Sequence, residues 1–371
     1  MGLRAVVVGG GIGGLAASIA LNDAGWEVDL FERQEQFSEV GASLTLWPNA
    51  IAALDELGVG AEIRSASLEG FDGGFMTTDG RWLTRLNTDD VKERYGDLAV
   101  VTRPDLLKLL LEAAPQRALH PGVTVESVDA NGTVTTSEGK HKADLVVAAD
   151  GVWSVVRRNV WPEVPAPSYT GVTAKRFNTR VLDEPVPDGA WIWGAGRSFG
   201  YTPLPGGRAY AYAMECAPPG GDDTDLDVFK YWRDPIPRLI ENVGEDGVLR
   251  HDVYECPLLK SYVRGRVALI GDSAHALQPS LGQGACTALE DAVTLGRCGD
   301  DLVRYDRARR RRTQRILRMS RLIMEAAHVS SPVMTWSRNL SMVAMPHAMN
   351  MRMMKHDWAW TPDRAMSSSV R

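Results

Sequence analysis

Five glycines in six residues, GGGIGG at positions 9–14, directly follow the apolar run LRAVVV. Glycine loses more conformational entropy on folding than any other residue, so such a cluster needs a compensating use. Gly9, Gly11 and Gly14 fit G-x-G-x-x-G, in which one glycine makes a tight turn, one admits a diphosphate to the backbone and one lets a helix pack closely on a strand. Ile12 and Gly13 open the helix whose free N–H groups would meet that anion. Glu32 follows 21 residues after Gly11, where a carboxylate can accept hydrogen bonds from a ribose, and Arg33 is beside it. The pattern alone does not separate NAD from FAD. Two later stretches repeat its logic: Asp150-Gly151 in ADGVWSVVRR, with Arg157 and Arg158 a helical step beyond, and Gly271-Asp272 in IGDSAHALQPSLGQGA, whose Gly282-Gln283-Gly284 opens a helix.

The elements that must carry these residues are legible in the same segments. Leu3 to Val8 predicts a buried strand, Ile12 to Ala24 a helix closed by Gly25, and Trp26 to Phe31 a second strand. Asn131-Gly132 predicts a hairpin turn, and Leu145 to Ala149 and Val267 to Ile270 two further buried strands. Parallel strands that end in acids along one edge place a ligand at the carboxyl ends of their sheet.

Two insertions separate these motifs. Phe71 to Tyr95 has Asp79-Gly80 as a hairpin turn, and Ser168 to Tyr254 holds several strand-like runs, which together suggest a mainly antiparallel second sheet. Trp191 and Trp193 share one strand face, as do Tyr210, Tyr212 and Met214, and either a core or an apolar substrate wall fits them. Arg197 and Tyr201 are the polar candidates for orienting a substrate, and Trp47 is a candidate pocket wall. His275 reads as part of a structural turn, because no partner for its imidazole is apparent. The run Arg307 with Arg309 to Arg312 reads as the solvated face of a helix whose apolar stripe includes Leu302, Tyr305, Ala308 and Ile316. Pro332 ends the long helix that begins near Asp301. The Met-rich tail beyond it reads as a helix over the domain junction, with a substrate entrance, a dimer surface or a membrane-resting patch as alternatives. The closing MSSSVR reads as disordered.

With 371 residues, 44% of them apolar, and a formal net charge of −6, the chain reads as a soluble globular protein with no global attraction to nucleic acid or anionic membrane. Four cysteines without metal-ligand spacing point to a reducing, cytoplasmic setting and to no metal site. No stretch reads as a signal peptide or as an integral membrane span.

Taken in order, GGGIGG with Glu32, ADG with Arg157, and IGDSAHALQPSLGQGA with its EDA helix resemble the class A flavin-dependent monooxygenases, the aromatic hydroxylase family, over roughly residues 1 to 315. VGASLTLWPNA and VTRPDL are similar to the branch containing salicylate and urate hydroxylases. The resemblance implies an α/β fold: a Rossmann-like FAD-binding domain of the glutathione-reductase-like type, a mainly antiparallel β-sheet substrate domain, and C-terminal helices. The corresponding ranges are 1–70, 97–165 and 257–320 for the FAD-binding domain, 71–96 and 166–256 for the substrate domain, and 321–371 for the C-terminal helical segment. Further implications are FAD as cofactor, NADH or NADPH as transient reductant, and insertion of one oxygen atom from O2 into an electron-rich aromatic or polycyclic small molecule through a flavin 4a-hydroperoxide.

By the same resemblance Glu32 and Arg33 meet the adenosine end of FAD. Ser43 and Arg103 lie near the flavin or its ribityl chain, Asp272 bonds the ribityl hydroxyls, and Asp150-Gly151 serves both FAD and the pyridine nucleotide. Pro279, Gly282, Gln283 and Gly284 face the ring, where a helix N-terminus suits the negative charge of a reduced flavin. No substrate base is singled out. A Baeyer-Villiger or epoxidising relative of the same fold, or a non-catalytic flavin-binding partner protein, stands as the alternative, and the chain is expected to be a monomer or homodimer. Flavin halogenases are disfavoured, because Trp191-Ile192-Trp193 continues into Gly194-Ala195 rather than completing WxWxIP.

Overall fold

The computed structural model describes residues 2–37, 43–68 and 72–363, with the side chains of residues 347 and 348 excepted. The VGA segment before Ser43 and the terminal MSSSVR, both interpreted above, lie outside the described residues.

The apolar opening run forms strand Arg4–Val8, which pairs in parallel with Glu27–Glu32 on one side and Leu145–Ala148 on the other. Val267–Leu269 and Leu119–Pro121 extend this sheet in parallel, and the short Val263–Arg264 closes one edge antiparallel. Both flanks of the central strand are covered, so its residues Ala5 to Val8 are all buried, as a continuous apolar run requires. Helix Ile12–Asp23 lies on this sheet and against helix Gly284–Cys298. The parallel register delivers the ends of four strands to one edge, where Gly9, Glu32, Asp150 and Gly271 converge.

The glycine turn is sterically enforced. A Cβ on Gly14 would sit 1.9 Å from the Gly9 carbonyl oxygen, so any side chain there must displace backbone.

A seven-stranded sheet forms the other half of the molecule, in the order Leu249–Glu255, Ser168–Asn178, Arg208–Cys216, Arg197–Leu204, Ala190–Trp193, Gly73–Thr77 and Trp82–Leu86. All its pairings are antiparallel except that between Ala190–Trp193 and Gly73–Thr77. Its far face packs Phe177, Ile192, Phe199, Ala211 and Ala213 against Phe229, Ile236 and Leu239, making a core distinct from that under the parallel sheet.

Three helices complete the chain: Leu302–Ala327, capped by the Asp301 carboxylate at the Arg304 N–H (3.0 Å), then Pro332–Val343 and His347–Trp358. The arginine run is a solvated face only in part. Arg309 is fully buried, donating Nε to Asp291 Oδ1 at 2.6 Å and Nη1 to Glu290 Oε2 at 2.5 Å, and Arg312 donates Nε and Nη2 to Glu290 at 2.6 and 2.7 Å. Geometry explains the correction: Arg309 is four residues from both Tyr305 and Thr313, so it shares their buried stripe while Arg307 and Arg311 point to solvent.

Candidate active site

A single cavity of about 910 Å³ joins the glycine turn to the antiparallel sheet. Of the cofactor set expected from sequence, Gly9, Gly11, Ile12, Gly13, Glu32, Arg33, Ser43, Arg103, Asp150, Gly151, Asp272, Pro279, Gly282, Gln283 and Gly284 all border it. Gly14 stands behind the turn, in the helix–strand contact described above.

At one end, helix Ile12–Asp23 starts without a side-chain cap and without an acid in its first turn. Its first N–H groups therefore remain available to an anion. Glu32 anchors the turn: its carboxylate accepts from the Gly10 N–H at 2.6 Å and the Gln34 N–H at 2.9 Å while bordering the cavity. Asp150 accepts from the Val156 N–H at 3.1 Å, but its Oδ1 is buried without a partner among the described residues, and burial pushes its carboxyl up from the usual range. Arg157, itself buried, donates to Ser273 O at 2.6 Å and Val152 O at 2.5 Å, tying the Asp150 loop to the Asp272 loop.

Midway, helix Gly284–Cys298 also begins uncapped and free of acid, aimed at the cavity through Gly284. A Cβ on Gly284 would meet nothing within 4 Å, so the glycine leaves an opening that a planar group can enter. Gln283 is fully buried; its Oε1 accepts from Asn49 Nδ2 at 2.9 Å, while its Nε2 has no partner among the described residues. Arg103 starts helix Arg103–Ala113, and burial holds its guanidinium below its ordinary range against the opposing charge of Asp272. Ser43 Oγ donates to Asn178 Oδ1 at 3.0 Å, joining this region to the antiparallel sheet. Two uncapped helix N-termini, an unfilled opening at Gly284 and two orphaned polar atoms beside one elongated cavity fit a dinucleotide carrying a diphosphate and an acidic ring edge.

Behind these loops lies a buried polar network that sequence reasoning missed. Glu290 accepts from Asn49 at 2.6 Å as well as from Arg309 and Arg312. Asp291 Oδ2 accepts from the Gly271 N–H at 2.8 Å and lies 2.5 Å from His275 Nε2. His275 is therefore part of the support of the Gly271-Asp272 turn, and its partner sits 16 residues away on the next helix. Burial raises the pKa of Asp291, but the charges of His275 and Arg309 outweigh it and hold the carboxyl low.

Facing these loops, Phe75, Trp191, Tyr210, Tyr212 and Met214 form an aromatic wall with Arg176 among them. Burial raises the phenols of Tyr210 and Tyr212 above their ordinary value, so both stay protonated donors. Tyr212 lies across the neighbouring strand at Gly200, where a Cβ would fall 2.0 Å from its ring. Trp47 donates Nε1 to Leu281 O at 3.1 Å, stacks on Trp358 (4.8 Å, 20°) and borders the cavity.

Two substrate candidates are placed differently. Tyr201 borders the cavity, but strand alternation pairs it with Ala211 and sends its ring into the far core beside Phe199, one position out of phase with Tyr212. Arg197 is half-exposed, faces Glu215 at 3.7 Å and lines a separate shallow depression near Trp232.

Sequence reasoning placed a helix over the domain junction but did not single out the residues it gives to the cavity. Asn350, Met354, Asp357 and Trp358 form part of the cavity wall, and burial pushes the Asp357 carboxyl up to about 6. The signal available was the spacing of Asn350, Met354 and Trp358 at successive helical turns. Among the described residues, no cluster of three or more His, Cys, Asp or Glu side chains is placed to hold a metal ion.

Comparison with known proteins decides the family. Residues 3–298 match the FAD binding domain family. The chain is 34% identical over 309 residues to aurachin C monooxygenase/isomerase of Stigmatella aurantiaca, covering 80% of each protein. The chain belongs to the FAD-dependent monooxygenases of the aromatic hydroxylase family. It is also 31% identical to a FAD-dependent urate hydroxylase of Klebsiella pneumoniae, over 79% of this chain and 80% of that protein. The crystal structure of Klebsiella pneumoniae HpxO complexed with FAD and uric acid superposes with a TM-score of 0.85 at 26% identity, covering 96% of both chains. This flavin monooxygenase therefore has the fold expected from its motifs, and FAD is its cofactor.

Proposed function

We propose that this flavin monooxygenase takes electrons from NADH or NADPH and inserts one oxygen atom into an apolar, electron-rich aromatic or polycyclic small molecule. The observation that carries the reading is the continuity of the cavity, from a glycine turn at an uncapped helix start, past a second helix N-terminus, to an aromatic wall. The chemistry that FAD supplies when bound is acceptance of hydride and activation of O2. The protein's part is binding, orientation and exclusion of water.

In this reading the free N–H groups after Gly11 hold the diphosphate, Glu32 accepts from the ribose, and Asp272 accepts from the ribityl hydroxyls. Arg33 flanks the adenosine end, and Asp150 holds its carboxylate beside the cofactor. The N–H groups at Gly284 and the following residues stabilise negative charge on the reduced ring, with Arg103 close by. Trp191, Tyr212 and Met214 press a flat substrate toward the flavin and keep water out, while Arg176 offers a cation to an ionised oxygen of the substrate. Residues 1–70, 97–165 and 257–320 serve as the FAD-binding domain, residues 71–96 and 166–256 carry the substrate wall, and the segment from 321 closes one side. Four unpaired cysteines support work in a reducing, cytoplasmic compartment. A relative solved with uric acid supports a heteroaromatic substrate class.

The test uses FAD-loaded protein and a panel of phenols, purines and polyketide-like aromatics. At least one member should accelerate NAD(P)H oxidation and yield a product with one ¹⁸O atom from labelled O2. A panel with neither acceleration nor label overturns the reading.

A further inference from the structure

Helix Pro332–Val343 lies on the surface with no buried residue. Its outward positions are Val333 (74% exposed), Met334, Trp336 (67%), Leu340 and Val343, with Ser337 and Ser341 between them. Val333, Trp336, Leu340 and Val343 follow helical spacing and form one stripe. The helix has one charged residue, Arg338, and it is turned inward, donating Nη1 to Ala326 O at 2.9 Å and lying 5.2 Å over the Trp193 ring. A surface helix normally turns its charges to water, so an outward face with none requires a partner.

The surrounding charges select the partner. The next helix, His347–Trp358, exposes Arg352 and Lys355 beside Met349 and Met353. Between residues 326 and 361 the only acid, Asp357, is buried; exposed acids flank the stretch at Glu325 and, on the helix Thr88–Tyr95 packed against Met351, at Asp89 and Glu93. On the preceding helix Arg311, Arg315, Arg318 and Leu322 make an exposed stripe of their own, which ends in Glu325. We infer that helix Pro332–Val343 and the cationic turns beside it dock this enzyme peripherally on an anionic phospholipid surface. Apolar side chains with an exposed Trp enter the headgroup boundary while Arg and Lys meet lipid phosphates. No helix among the described residues is long and apolar enough to cross a membrane, so the attachment is to the surface. The helix that exposes Arg352 and Lys355 also turns Asn350, Met354 and Trp358 into the cavity wall, so one element carries both the cations and part of the cavity lining.

The experiment is co-sedimentation of the FAD-loaded full chain with vesicles of phosphatidylcholine alone or with about 30% phosphatidylglycerol. Binding should be at least tenfold tighter on the anionic vesicles. The triple substitution Val333→Ser, Trp336→Ser, Leu340→Ser, with flavin content retained, should weaken it at least tenfold, and Arg352→Glu with Lys355→Glu should do the same. If the triple variant fails to fold, the charge-reversal variant still decides, as does brominated-lipid quenching of tryptophan emission that is reduced in Trp336→Phe. Absence of vesicle binding, equal binding to neutral vesicles, or insensitivity to both sets of substitutions overturns the inference. A dimer in sedimentation velocity that the triple variant dissolves also overturns it, by assigning the face to a second copy.

Discussion

Arg309→Met separates a buried support from a solvated surface charge. Arg309 makes two charge-assisted hydrogen bonds, to Glu290 and Asp291, and all three side chains are fully buried. Removing it leaves Glu290 with Arg312 and Asn49, but strips Asp291 of its arginine and leaves it only His275 and the Gly271 N–H. Deleting one partner of a buried pair costs about 3–5 kcal/mol. The partial compensation at Glu290 puts the expected loss near the lower end, roughly 3 kcal/mol, a large share of the ~5–15 kcal/mol that holds a typical protein folded. Urea denaturation followed by circular dichroism measures it as a lowered midpoint with unchanged slope. FAD retention should fall in parallel, because Asp291 fixes the amide immediately before Asp272. The control is Arg311→Met, two positions along the same run, whose solvent-facing side chain should cost less than about 0.5 kcal/mol. Arg309→Met within 1 kcal/mol of the parent protein, or an equal loss in Arg311→Met, refutes the reasoning.

Gly14→Ala should abolish FAD retention, measured as the ratio of flavin to protein absorbance, since its Cβ would sit 1.9 Å from the Gly9 carbonyl. Asp357→Asn should stabilise the protein in a pH-dependent way. Burial raises the folded carboxyl to about 6, above its unfolded value, so ionisation penalises the native state. The gain should be absent below about pH 4, grow toward pH 6 and level off above it at roughly 2–3 kcal/mol, as read from denaturation midpoints across pH. Tyr212→Ala should open the wall and raise the peroxide released per NAD(P)H consumed, measured with a peroxidase-coupled assay, whereas Tyr201→Phe should leave that ratio unchanged.

The nucleotide-binding half was legible because it is built from local signals. A buried strand, a glycine turn that only glycine can make, and an acid at the end of the next strand each leave a mark within a few residues, and a parallel sheet must bring them to one edge. The EDA helix and the basic run were visible as strings, but their pairing was not. Arg309 meets Asp291 and Glu290 across 18 and 19 residues, and helical phase alone, read from Tyr305 to Thr313, was the clue that it points inward. Tyr201 and Tyr212 differ for a similar reason: strand periodicity fixes which residues share a face, while the register between strands decides which face meets the cavity. The contribution of the last helix needed tertiary structure outright, because methionine spacing reads the same over a core as over a ligand.

The most direct measurement is a crystal structure of the protein grown with FAD. The diphosphate should lie on the amides following Gly11, the adenosine ribose at Glu32, and the ring edge at the N-terminus of helix Gly284–Cys298, with Asp272 on the ribityl chain. A flavin bound elsewhere, or a dinucleotide whose ring lies away from Gly282 to Gly284, would contradict the shared cradle on which the proposed chemistry depends.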